Sequence, residues 1–149
     1  MYYSISDVSE ILGIPASTLR FYDKKGMLPS LERSNGGVRR FSESDIEWLK
    51  MIECLKKTGI PLADIKKYIY LAIEGESTLT DRHELIVSQL EAVNKKIEEL
   101  SEMKKILEYK DWFYKTSIAA GSSGVHNYDS LEDIPDEHRE IFLKLKNMI

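Results

Sequence analysis

Five apolar residues in the second half of the chain, Ile86, Leu90, Val93, Ile97 and Leu100, are spaced 4, 3, 4 and 3 positions apart. Leu107 resumes the register after Lys104 interrupts it, and Glu and Lys fill much of the rest. This is a heptad pattern, and it predicts one long helix from Asp81 to about Lys115. Its apolar seam is too narrow and too long to be buried by the small region before it. Such a helix needs a partner helix, most simply the same helix of a second chain.

The remaining composition sets limits on the rest. A chain of 149 residues allows one domain, or a small domain with an extension. With 42% apolar and 31% charged residues it is too hydrophobic to be disordered throughout. The longest apolar run, Tyr68 to Ile73, falls far short of the roughly 20 residues of a membrane span. The opening MYYSISDVSE has neither the basic nor the apolar region of a signal peptide. A lone cysteine, Cys54, excludes an internal disulfide and a multi-thiolate zinc site, so a reducing cytoplasm is the expected compartment. The net charge of −4 is unevenly spread: residues 17–40 carry six basic side chains (Arg20, Lys24, Lys25, Arg33, Arg39, Arg40) against Asp23 and Glu32. A local basic patch on a mildly acidic chain suits placed electrostatic binding to a polyanion.

In the first half, Ile5, Val8, Ile11 and Leu12 recur at helical spacing, with Ser6 as expected N-cap and Gly13 as terminator. After the turn Ile14–Ser17, a second helix is expected from Thr18 to Lys25, capped by Ser17, closed by Gly26, with Leu19 and Tyr22 on one face. Two short helices about a tight turn form a helix-turn-helix pattern. Asn35-Gly36-Gly37 between short arms signals a hairpin wing, on the expectation that Asn-Gly supplies two positive φ angles. Helices from Ser42 (Ile46, Leu49, Ile52 or Met51, Leu55 or Lys56) and over Leu62–Ile73 (Ile65, Ile69, Ala72 or Ile73) complete the head. The fold class is therefore mainly α: an N-terminal winged helix-turn-helix domain (1–75), a polar linker (76–80), a coiled-coil dimerisation helix (81–115) and a short C-terminal segment (116–149). In that last segment, Gly121–Gly124 reads as a flexible turn and Pro135–Lys146 as a short helix with Ile141, Phe142 and Leu145 on its apolar face.

The chemistry of these residues fits nucleic acid. A recognition helix presents its first residues to base edges while flanking groups hold phosphates. Ser17 and Thr18 stand at such a helix start, where backbone N–H groups also favour phosphate. Arg20 suits guanine or phosphate, Tyr22 offers a hydroxyl, Lys24 and Arg39 suit phosphate, and Arg40 stands in reserve. Phe21, Leu19, Ile46 and Trp48 are expected in the core, and Lys25, Lys50, Lys56 and Lys57 as solvated charges.

The run TLRFYDKKGMLP (Thr18–Pro29), then RSNGGVRRFSESDIEWL (Arg33–Leu49) and LKKTGIPLADIKKY (Leu55–Tyr68), closely resembles the MerR family of bacterial transcription regulators. Val38 departs from the pattern, standing where many members carry a wing tyrosine. The resemblance implies a homodimer on promoter DNA that bends an over-long spacer and, on activation, distorts it to align the elements read by RNA polymerase. Specificity then comes partly from DNA deformability, and the signal passes through the dimer helices as a two-state rearrangement.

Thiolates used by metal-sensing members are absent: Ser77, Thr78 and Leu79 occupy one of their regions, and His83, His126 and His138 are scattered. No metal or other cofactor is expected. A large drug-binding module is excluded by the short segment after the long helix. Two effector readings stay open. Cys54, placed where some stress-responsive members carry a lone cysteine, senses aldehydes or oxidants, with Lys56 and Lys57 promoting its thiolate, or it is a core residue. Alternatively a small apolar ligand lies against Trp112, Phe113 and Tyr114, or these aromatics pack the tail onto the partner's head. No phosphate loop, nucleophile elbow or paired metal ligands suggest an enzyme. A coiled-coil adaptor without a DNA role accounts for the heptads and leaves the basic segment unexplained.

Overall fold

The computed structural model describes residues 1–148. The elements are α1 (Ile5–Leu12), α2 (Ala16–Lys24), β1 (Glu32–Arg33), β2 (Arg39–Arg40), α3 (Glu43–Lys57), α4 (Leu62–Glu74), α5 (Leu79–Ala120) and α6 (Arg139–Asn147). They fall into two compact units, residues 1–90 and 91–149, and α5 begins in the first and ends in the second.

Two reciprocal caps start helices of the first unit. Ser4 Oγ accepts from the amide of Asp7, and Asp7 Oδ2 accepts from the amide of Ser4 at 2.8 Å. Ser42 and Asp45 repeat this arrangement at the start of α3. Each box satisfies donors that a helix start leaves free. The cap of α1 is thus Ser4 rather than Ser6: Ser4 has its partner three residues on, and Ser6 lies inside the helix. Likewise α2 starts at Ala16, with Pro15 at the N-cap and no side-chain cap, so Ser17 is helical rather than capping. Proline needs no donor there, and its fixed φ leads into the helix. Gly13 does terminate α1 in the left-handed region, at φ 67°.

The core of this unit joins Val8, Leu19, Tyr22, Phe41, Leu49, Ile52, Ile65 and Ile69 from all four of its short helices and the wing base. On α3 the inward positions are Ile46, Leu49, Ile52 and Leu55, while Met51 is exposed. On α4, Ile65 and Ile69 are buried and Ile73 is exposed. The strands pair antiparallel with Glu32 opposite Arg40 and Arg33 opposite Arg39, and Tyr3 bridges Phe41 to tie the N-terminus to the wing base.

Residues 76–80 do not form a plain linker. Glu76–Thr78 make one 3-10 turn that runs directly into α5, and buried Thr78 donates its hydroxyl to the carbonyls of Leu71 and Gly75. The long helix is therefore longer at both ends than the heptads alone predict, because its first and last turns carry no seam residues.

In the second unit, α6 and the turns before it cover part of α5. Ile134 and Ile141 are buried there, with Phe142 and Leu145 partly so. Gly121, at φ 75°, ends α5, and Ser123–His126 form a 3-10 turn rather than an open flexible loop.

Candidate nucleic-acid interface

Helix α2 divides its residues by face. Leu19 and Tyr22 enter the core, whereas Ser17, Arg20 and Lys24 are exposed and Thr18 is half-buried. Arg20 makes no ion pair among the described residues, so its guanidinium is available to a ligand. Pro15 O receives the amides of Thr18 and Leu19, and the amides of Ala16 and Ser17 at the helix start make no hydrogen bond among the described residues.

Tyr22 is a correction. It is 1% exposed, and its hydroxyl donates to Glu53 Oε1 at 2.6 Å and accepts from Lys56 Nζ at 3.2 Å. Spacing from Leu19 places it in the core, where it cannot offer that hydroxyl to DNA. Phe21 is corrected in the opposite sense. It is 40% exposed, because Leu19 and Tyr22 claim the inward face, and it lines a shallow groove with Met27, Leu62 and Lys66.

The wing differs from the expected two-residue turn. Ser34 N donates to Val38 O and Gly37 N to Ser34 O, both at 2.8 Å. Neither Asn35 nor Gly36 has positive φ; the left-handed residue is Gly37, at 79°. The loop is thus a three-residue turn closed by a left-handed glycine, a common alternative to the Asn-Gly turn. Val38 at its end is exposed.

Arg39 does not stand free. Its Nε donates to Asp23 Oδ2 at 2.7 Å, and Arg33 Nη2 donates to the same oxygen at 2.7 Å. Arg40 lies over the Tyr2 ring at 4.0 Å, and Tyr2 in turn donates its hydroxyl to Glu32. The acidic member of this patch, Asp23, was visible in the sequence only as a charge offsetting the basic cluster; its role depends on the wing folding back onto α2.

Cys54 is exposed, which removes the core alternative. It lines a surface depression with Leu12, Ile14, Lys50, Glu53 and Lys57. Lys56 is not one of its neighbours there, being engaged with Tyr22; that hydrogen bond, and Glu53 nearby, hold its ammonium above the ordinary lysine pKa.

Of the seam, Ile86, Leu90, Ile97, Leu100 and Leu107 are exposed on the single chain and Val93 is half-buried. Farther along α5, Phe113 stacks on His126 at 4.4 Å, Trp112 meets the same ring tilted at 5.0 Å, and Trp112 and Tyr109 meet His138. The imidazole of His126 is further held by Asp129 at 2.6 Å and Thr116 at 2.7 Å. Tyr114 is exposed and touches Phe113 only edge-on. Trp112 and Phe113 are thus half-buried against the chain's own tail, and Tyr114 stands apart from it in solvent.

Comparison with known proteins agrees with this geometry. Residues 3–71 match the family model described as MerR HTH family regulatory protein, and residues 46–109 match that of MerR, DNA binding. An "Uncharacterized HTH-type transcriptional regulator" of Haemophilus influenzae is 41% identical over 136 residues, which is 91% of this chain and 98% of that one. The chain belongs to the MerR family. A solved MerR family regulator, HiNmlR, lacking the sensor domain and bound to promoter DNA, is 42% identical. It covers 84% of this chain and 99% of its own, with a TM-score of 0.61. A putative MerR family regulator from Listeria monocytogenes is 28% identical, covering 84% of this chain and 95% of its own, with a TM-score of 0.66. This MerR-family chain is accordingly a DNA-binding transcriptional regulator and not an enzyme.

Proposed function

We propose that this regulator binds promoter DNA as a homodimer, with Ser17, Thr18, Arg20 and Lys24 of α2 facing the major groove and Arg39 and Arg40 of the wing facing phosphate. The observation that carries the reading is the division of α2: its apolar face is sealed in the core while Arg20 is exposed with no ion pair among the described residues, on the helix that Asp23 ties to the wing arginines. A relative 42% identical to this chain is described as bound to promoter DNA, which supports a DNA ligand for this chain. Ile86, Leu90, Val93, Ile97, Leu100 and Leu107 pair the α5 helices of two chains, which buries an apolar seam that one chain leaves in water. The dimer distorts an over-long spacer so that RNA polymerase engages both promoter elements.

The effector acts on the head itself through Cys54, whose exposed thiol in a lysine-flanked depression is open to aldehydes or oxidants. That DNA-bound relative is described as lacking the sensor domain, which fits a signal received without a separate module. A reducing cytoplasm, where the thiol persists, is the compartment this requires.

The test is selection of genomic fragments by purified protein, with and without a reactive aldehyde, read by sequencing. Enrichment of one inverted repeat within a long promoter spacer is expected, with altered retention or a changed footprint after aldehyde. No enrichment at moderate salt would overturn the DNA assignment. Cys54→Ser should bind the same repeat and lose the aldehyde response; a fully responsive variant would overturn the sensing assignment alone.

A further inference from the structure

Asp23 stands in the last turn of α2, and its Oδ2 accepts from Arg33 Nη2 and Arg39 Nε, each at 2.7 Å. The two arginines are cross-strand partners, one from each strand of the wing. Arg33 also donates Nη1 to Gly37 O at 3.2 Å, so it braces the wing turn as well. One carboxylate thus ties the recognition helix to both strands. Both bonds join a carboxylate to a guanidinium and are charge-assisted; the Asp23–Arg39 pair, at 17% and 24% exposure, is partly shielded from solvent, and Arg33 is more open. Arg39 spends its inner Nε on Asp23 and keeps its two outer Nη groups without a hydrogen bond among the described residues.

We propose that Asp23 is a positioning residue for DNA binding: it sets the wing against α2 and aims the outer N–H groups of Arg39 at a phosphate. This rests on the DNA-binding reading above. Two effects of the carboxylate oppose each other, and their balance decides the sign of a mutation. As a bare negative charge beside a polyanion, Asp23 would weaken binding, and its removal would tighten it. As the anchor of two guanidinium groups, its removal frees the wing and costs a preorganised contact.

The experiment is fluorescence anisotropy of the selected operator fragment across a range of salt concentrations. It compares wild type, Asp23→Asn, Asp23→Glu, Arg39→Ala, Arg39→Lys and the Asp23→Asn/Arg39→Ala pair, with thermal unfolding of each followed in parallel. Asp23→Asn should weaken binding about tenfold, the scale of one charge-assisted hydrogen bond. The slope of log K against log salt should fall by about one phosphate contact. Asp23→Glu should recover part of the loss, and on the Arg39→Ala background Asp23→Asn should cost only about twofold, as coupled residues do. Arg39→Lys keeps the charge without the side-on geometry, and should lose affinity at unchanged fold even if Asp23→Asn fails to fold. Equal or tighter binding by Asp23→Asn, an unchanged slope, full additivity, or wild-type affinity in Arg39→Lys would each overturn the positioning role. Absence of specific binding by wild type would overturn that role and the DNA reading together.

Discussion

The hydroxyl of Tyr22 lies 2.6 Å from Glu53 inside the head. Burial, and then the hydrogen bond to Glu53, raise its pKa above the ordinary tyrosine value. The folded chain therefore holds this proton more tightly than the unfolded chain. Its contribution is fully present below about pH 10 and is lost as pH rises through the raised value. Urea unfolding at pH 8 and above pH 10 should show wild type losing stability at the higher pH, with Tyr22→Phe losing less. At pH 8, Tyr22→Phe should cost about 1 kcal/mol, the usual worth of one hydrogen bond. Asp45 carries more. It is 1% exposed, accepts from the amide and hydroxyl of Ser42, and takes a further bond from Ser30 Oγ at 2.9 Å. Asp45→Ala removes a helix cap and leaves the half-buried amide and hydroxyl of Ser42 without their acceptor, so a loss of about 2 kcal/mol in urea unfolding is expected. At this scale the sequence was legible for Arg20, whose exposure follows from helical period. The shared face of Leu19 and Tyr22 was legible too, and it rules out offering the Tyr22 hydroxyl to DNA. The exposure of Phe21 follows from the same period but was masked by its apolar type, and the role of Asp23 was not legible, because its partners lie 10 and 16 residues away.

Among the elements, the wing turn departs from the Asn-Gly turn that Asn35-Gly36-Gly37 led one to expect. A two-residue Asn-Gly turn needs positive φ at both positions; the observed turn needs it only at Gly37. Gly37→Ala should destabilise by about 1 kcal/mol, because a Cβ is disfavoured in the left-handed region. At Gly36 a Cβ would meet only Ser34 Oγ, at 3.9 Å, so Gly36→Ala should leave the melting temperature nearly unchanged. Equal losses in both would contradict the turn described. The order of helices and their buried faces were readable from periodicity, since Leu49, Ile52, Ile65 and Ile69 repeat at helical spacing and are buried. Helix starts were less readable. Ser6 and Ser17 are good capping residues by type, but the cap goes to Ser4, which has Asp7 three residues on, and to Pro15, which needs no partner.

For the whole molecule, the proposed dimer rests on the apolar seam of α5, most of which is exposed on the single chain. Leu100 is 63% exposed on the single chain and contributes little to the stability of one chain alone. Leu100→Glu should therefore leave the head folded by circular dichroism while weakening the dimer at least tenfold, since it sets a charge in an apolar interface. Unchanged sedimentation of this variant at micromolar concentration would remove Leu100 from the interface. The long helix itself was legible because heptads repeat locally. The tail was less so: His126 reaches Trp112, Phe113 and Thr116 only after the chain reverses at Gly121, and its bond to Asp129 then completes the covering of those aromatics. In the proposed complex two chains, joined through α5, each present Arg20 and a wing to one half of an inverted repeat. Sedimentation equilibrium of the protein with the selected duplex should give two chains per duplex for wild type and no complex for Arg20→Ala, which should remain a dimer. One chain per duplex, or wild-type affinity in Arg20→Ala, would contradict it.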